Sequence, residues 1–166
     1  MKQLEVYFDY LCPYCYKGHQ NLAAILKSHP DVQVNWMPCE AHPRPEVRDL
    51  HSDIAIAGMY FVREKGGDVG KYNDLVYETH FEKKLRVDDV KVLADIAAQC
   101  GADAAAFVTA LERGVYAQQV VDGNIRAWDT KAWEAVPSYS CAGKDIGSRG
   151  GVLVAPEALD AFLKNA

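Results

Sequence analysis

Cys12-Pro13-Tyr14-Cys15 is the segment of this chain whose residue types and spacing most directly point to chemistry. Two cysteines three positions apart at the opening of a helix lie one turn apart on the same side, so a disulfide between them can close and reopen with little rearrangement. A helix start also offers backbone N–H groups without partners and the positive end of the helix dipole, and both favour thiolate over thiol. A free cysteine titrates near ~8.5, whereas helix-start cysteines fall to roughly 3.5 to 7.5. Cys12 is therefore expected to attack, and Cys15, deeper in the helix, to cleave the resulting mixed disulfide from within.

Other chemistries fit the same residues less well. A structural zinc site needs a second pair of ligands, and Cys39, Cys100 and Cys141 each stand alone in sequence. A covalent haem site needs histidine directly after the second cysteine, where this chain has Tyr16. His19 lies about 10 Å from Cys12 in helical rise, which makes it a surface histidine rather than a base. Asp9 either relays protons or raises the thiol pKa by like-charge repulsion, and the direction of its side chain decides between them. Cys39, Cys100 and Cys141 are expected to be small buried hydrophobes, with Cys39 nearest the chemical end of the sheet. His42 and Arg44, in a proline-rich loop, are candidate contacts for substrate or glutathione but fit a solvated surface better. Trp128 and Trp133 are expected to fill core or cleft wall.

The elements that must position the cysteine pair are legible from periodicity. Leu4, Val6 and Phe8 alternate with Glu5, Tyr7 and Asp9, which puts one apolar face on a strand over 3–9. Pro13 suits the first turn of a helix, and Leu22, Ile25 and Leu26 give that helix an apolar stripe to about Ser28. After a break at His29-Pro30-Asp31, Val32, Val34 and Trp36 alternate as a second strand, and a strand-helix-strand crossover favours parallel pairing.

From about Ser52 to Trp128 the pattern is helical: Tyr72, Leu75 and Val76 mark one helix, and Val90, Leu93, Ala94 and Ala97 another that stops at Gly101. Asp103 caps a third with Phe107 and Leu111, and a fourth follows Gly114 through Val121, Ile125 and Trp128. Val136–Ala142 and Lys144–Ile146 then flank a turn at Gly143 as a hairpin, 147–151 reads as a flexible loop, and Pro156 opens a final helix. The expected division is a first sheet segment at 1–45, a helical insertion at 46–130 and a second sheet segment at 131–166.

The 166 residues suffice for one domain carrying an insertion, and 49% hydrophobic with 25% charged residues is the balance of a chain that folds. A formal net charge of -5 with scattered lysine and arginine gives no basic stripe for a phosphate backbone, so nucleic acid is not an expected partner. No apolar run reaches membrane-spanning length, and the first residues lack the pattern of a signal peptide, so a cytoplasmic location is expected. The odd count of five cysteines leaves at least one unpaired.

With these pieces placed, the chain resembles the DsbA-like branch of the thioredoxin superfamily, in particular its FrnE-like and 2-hydroxychromene-2-carboxylate isomerase-like members. The resemblance rests on Val6-Tyr7-Phe8-Asp9-Tyr10-Leu11-Cys12-Pro13-Tyr14-Cys15, on the helical block, on Val136-Pro137-Ser138-Tyr139 and on Pro156-Glu157-Ala158-Leu159. It implies an α/β thioredoxin-like fold with a helical subdomain inserted after the β-α-β unit, and a thiol-disulfide oxidoreductase. It also implies a cis peptide bond at Pro137, with the backbone of Val136 turned to substrate, and a substrate-facing set of Pro13, Tyr14, Val136 and Pro137. No tightly bound cofactor or metal is implied; glutathione is a candidate co-substrate, the partners are protein or small-molecule thiols and disulfides, and the molecule is a monomer or homodimer. Relatives that use glutathione as isomerases or transferases commonly replace the first cysteine by serine, and the intact pair here argues against them. A zinc-bridged, non-catalytic module is the remaining alternative. The polar Ser138, Ser140 and Cys141 and the enlarged loop at 148–151 depart from the family pattern.

Overall fold

A computed structural model describes residues 1–166. Two compact units make up the chain, one formed by Met1–Ala41 with Asn124–Ala166, the other by His42–Gly123. The first is a four-stranded sheet in the order β2-β1-β3-β4, with β1 at Lys2–Phe8, β2 at Val32–Pro38, β3 at Ser138–Cys141 and β4 at Lys144–Gly147. β1 and β2 run parallel with Lys2 opposite Val32 and Phe8 opposite Pro38. β3 is antiparallel to β1, so that Ser138 faces Tyr7, and the β3–β4 hairpin turns through Ala142 and Gly143, both at positive φ. A two-residue turn with positive φ at both positions matches the twist of the flanking strands.

The helix α1, Pro13–Ile25, crosses between β1 and β2 and tightens into a 3-10 turn at Leu26–Ser28. Pro13 sits in the first turn, where no N–H is needed, and Cys15, Gly18 and Leu22 are the buried residues. Gly18 is the point of closest approach to the sheet: a Cβ there would stand 2.8 Å from Pro137 Cγ and 3.1 Å from the Tyr139 hydroxyl. The last helix, α7 at Pro156–Lys164, buries Leu159 and Leu163 and is tied to the end of α1 by His29 Nε2 to Asp160 Oδ1 at 2.7 Å.

β1 differs from its expected one-sided alternation. Tyr7, on the nominally polar face, is buried beside Trp133 with ring centroids 5.5 Å apart, because β1 is a central strand covered on both faces. The loop after β4 is also more structured than expected. Arg149 pairs with Val152 in an antiparallel bridge, and Ser148 is buried.

The second unit is helical: α2 at Asp53–Glu64, α3 at Val69–Phe81, α4 at Val90–Gln99, α5 at Ala104–Glu112 and most of α6 at Ala117–Asn124. Asp68, Asp89 and Asp103 cap α3, α4 and α5 by accepting from the backbone N–H of Lys71, Lys91 and Ala106. Its core stacks Phe61 edge-on to Phe107 at 5.3 Å, with Ile56, Met59, Tyr72 and Leu93 fully buried. The expected single helix after Gly114 is instead α6 followed by a π-helical segment, Ile125–Thr130. There the backbone bonds lengthen by one residue, as in Lys131 N–H to Arg126 O at 2.8 Å.

Candidate active site

The site is built where β1 ends. The chain turns between Asp9 and Cys12, whose N–H donates to the Asp9 carbonyl at 3.2 Å, and enters α1 with Cys12 as its N-cap in an extended conformation. In that position serine or aspartate would use an oxygen to cap the helix; here the Cys12 sulfur accepts from the Cys15 N–H at 3.4 Å. The two sulfurs are not bonded to one another. Cys12 is half-buried, whereas Cys15 is only 1% exposed and accepts from the Asp9 N–H at 3.4 Å.

This arrangement separates the two thiols electrostatically. The Cys12 thiol is lowered from its usual 9.0 to about 7, first by the hydrogen bond from Cys15 and then by the N–H groups of Cys15 and Tyr14, against the opposing effects of burial and the Asp9 charge. Burial pushes Cys15 the other way, well above 9.0. At neutral pH the molecule therefore holds a half-buried partial thiolate over a fully buried thiol that donates to it.

Val136 and Pro137 close the site from the other end of the chain. Their peptide bond is cis, and the Val136 carbonyl lies 3.8 Å from the Cys12 sulfur. The polar residues that depart from the family pattern hold this segment. Ser138 Oγ donates to the Ala135 carbonyl at 2.7 Å, and Ser148 Oγ donates to the Pro137 carbonyl at 2.5 Å. Pro13 and Tyr14 are exposed between the cysteines, with Tyr14 at 47%. All of Cys12, Pro13, Tyr14, Cys15, Val136 and Pro137 thus belong to the sheet-bearing unit.

The direction of the Asp9 side chain, which sequence left open, is toward backbone. Its Oδ1 accepts from Leu11 N–H at 3.0 Å and its Oδ2 from Ala41 N–H at 2.8 Å, and the residue is 4% exposed. Cys39 is completely buried, donates to the Phe8 carbonyl at 3.6 Å and is pushed up by burial and then by the charges of Asp9 and Cys12. Next to it, Glu40 is clamped from three sides: Asn124 Oδ1 accepts from its N–H at 2.7 Å, Asn124 Nδ2 donates to its carboxylate at 2.9 Å, and Trp128 Nε1 donates to its carbonyl at 2.8 Å. Asn124, Trp128, Ser138 and Ser148 carry no local sequence signal for these roles; Asp9, an acid inside an apolar run, does.

His19 packs against Trp36 at 5.5 Å between ring centroids. His42 and Arg44 lie in the helical unit, paired with Glu46 and Asp53 at 3.0 and 3.4 Å. Cys100 and Cys141 are buried. No group of three or more histidine, cysteine, aspartate or glutamate side chains is assembled as for a metal ion.

A sheet with its central strand feeding a helix that starts on a CxxC pair, faced by a cis-proline segment, defines a thioredoxin-type thiol site. The family model of the DSBA-like thioredoxin domain matches residues 3–152, and the chain belongs to that family. YwbO of Bacillus subtilis is 27% identical over an alignment of 188 positions, gaps included, that covers 86% of this chain and 92% of YwbO. Among solved structures, SCO1869 of Streptomyces coelicolor superposes with a TM-score of 0.79 at 17% identity, covering 99% of this chain and 89% of its own. The cytosolic disulfide reductase DsbM of Pseudomonas aeruginosa superposes with a TM-score of 0.74 at 16% identity, covering 98% and 97%. At these identities the structures establish the shared fold.

Proposed function

We propose that this protein is a thiol-disulfide oxidoreductase that works by dithiol-disulfide exchange through Cys12 and Cys15. The observation that carries the reading is the Cys12 sulfur serving as N-cap of α1, lowered to about 7, with Cys15 buried behind it. The Cys12 thiolate attacks one sulfur of a substrate disulfide; a new sulfur-sulfur bond forms and the other substrate sulfur leaves as thiolate. Cys15 passes its proton to a departing substrate thiolate, attacks the Cys12 sulfur and breaks its bond to the substrate, releasing the second substrate sulfur. Two electrons have then passed to the substrate and the enzyme holds the Cys12–Cys15 disulfide. The same steps reversed oxidise a substrate dithiol.

Pro13, Tyr14, Val136 and Pro137 are the surface that meets the substrate, a reading supported by the Val136 carbonyl 3.8 Å from the sulfur and by the exposure of Pro13 and Tyr14 beside it. Glutathione is the small thiol that returns the enzyme disulfide to dithiol, and no tightly held cofactor is needed. A cytoplasmic, reducing setting suits the buried thiols Cys39, Cys100 and Cys141 and is the setting of DsbM, which shares the fold.

Titration in glutathione buffers, with mass-shift alkylation of wild type and Cys12→Ser, tests this directly. A reversible two-electron couple present in wild type and lost in Cys12→Ser is expected. A protein that stays dithiol in every buffer sinks the proposal.

A further inference from the structure

Asp9 touches both halves of the cysteine pair and ties together the segments that follow the parallel strands β1 and β2. Its carbonyl accepts from Cys12 N–H at 3.2 Å and its N–H donates to the Cys15 sulfur at 3.4 Å. Its carboxylate joins the β1–α1 loop, through Leu11 N–H, to the segment after β2, through Ala41 N–H, at 3.0 and 2.8 Å. At 4% exposure the carboxylate is removed from water, and two backbone donors on its two oxygens are the arrangement that suits an anion. A buried negative charge is screened far less than a surface one, so it acts on whatever ionises beside it.

From this geometry, and resting on the oxidoreductase reading above, we infer that Asp9 is a positioning residue that sets the redox poise of the Cys12–Cys15 pair, its buried charge opposing the Cys12 thiolate and making the enzyme a better electron donor. The groups that face the pair are Asp9 itself, Tyr139 on β3 and Cys39 after β2, with Glu40 standing behind Cys39 and held by Asn124. Burial raises Cys15, Tyr139 and Cys39, so at neutral pH these three stand as neutral neighbours. The charge of Asp9 raises Cys12, Cys15 and Cys39 alike. The balance is enzyme disulfide plus two glutathione thiols giving enzyme dithiol plus glutathione disulfide. Whatever destabilises the Cys12 thiolate pulls this equilibrium toward the enzyme disulfide and lowers the potential.

Asp9→Asn keeps the shape of the side chain and removes its charge. In glutathione buffers the equilibrium should shift severalfold toward the dithiol, under about 30 mV for a two-electron couple. In parallel, the alkylation of Cys12 should move to lower pH by less than about one unit, because the Asp9 charge is the last of the causes acting on that thiol. A merely structural Asp9 would lower the melting temperature of the variant and leave both readouts in place, or move the thiol upward, and either result overturns the inference. Should Asp9→Asn not fold, the wild type still decides. The Asp9 carboxyl carbon, followed by NMR in the reduced protein, should show an inflection at the pH where Cys12 ionises, absent in the disulfide form, and a featureless curve overturns the inference. Loss of the couple in wild type itself would instead strike the oxidoreductase reading.

Discussion

Removing the Cys15 thiol is the perturbation that best isolates what makes Cys12 reactive. The first cause of the lowered Cys12 pKa is the hydrogen bond from Cys15, with backbone N–H groups of Cys15 and Tyr14 contributing after it. Hydrogen bonds to charged groups contribute about 1.5 to 3 kcal/mol, and about 1.4 kcal/mol corresponds to one pH unit. Cys15→Ala should therefore raise Cys12 from about 7 by roughly one to two units, toward its usual 9.0. At pH 7 the thiolate fraction then drops from about one half to between roughly one in ten and one in a hundred. Cys15→Ser retains a hydroxyl donor at the same place and should stay near the wild-type value. The assay is the pH dependence of the iodoacetamide rate at Cys12, with thiolate absorbance as a second readout. If the alanine and serine variants titrate together at the wild-type pH, the hydrogen bond is not the cause and the reasoning fails.

Gly18→Ala places a methyl 2.8 Å from Pro137 Cγ and 3.1 Å from the Tyr139 hydroxyl, so α1 or the Val136–Pro137 segment must shift. A loss of about 1 to 3 kcal/mol is expected, read as a melting temperature lower by roughly 2 to 4 °C per kcal/mol, and an unchanged melting curve would contradict the packing. Stability of the reduced protein should depend on pH with two opposite limbs. Cys12 titrates lower folded than unfolded, so its contribution is present above 9 and fades as pH falls toward 7. Its size is roughly 1 kcal/mol once solvent screening of a half-buried group is allowed for. Cys15 and Cys39 titrate higher folded than unfolded, so their contribution is complete below 9 and is lost above it. Denaturant midpoints of reduced wild type minus Cys12→Ser should accordingly rise between pH 7 and 9; a flat difference removes the thiolate from the stability of the fold.

What could be read from sequence was what is local. The cysteine spacing, the proline in the first turn and the alternation of β1 and β2 lie within about forty residues, and the cysteine-bearing helix fell where these signals put it. Asp103, read as a cap, accepts from Ala106 three positions on, and the structure adds caps of the same local kind at Asp68 and Asp89. What escaped depends on distant partners. Tyr7 reads as the polar side of a strand until Trp133, far along the chain, covers it. The clamp on Glu40 from Asn124 and Trp128 joins residues 84 and 88 positions apart, along a helix whose widening into a π segment has no simple residue pattern. Ser138 looked like a departure from a family strand and Ser148 like the start of an enlarged loop, and their hydroxyls bond the carbonyls of Ala135 and Pro137. The side chain of Asp9 could not be aimed from sequence because its second acceptor oxygen meets Ala41, beyond β2.

The central claim is that the half-buried sulfur attacks and the buried one resolves. Trapping tests it most directly: Cys15→Ser and Cys12→Ser are each incubated with glutathione disulfide at neutral pH and the adducts are mapped by mass spectrometry. Cys15→Ser should accumulate a stable mixed disulfide on Cys12, while Cys12→Ser should leave Cys15 unmodified. A mixed disulfide on Cys15 in the second variant, or none on Cys12 in the first, would contradict the assignment of roles.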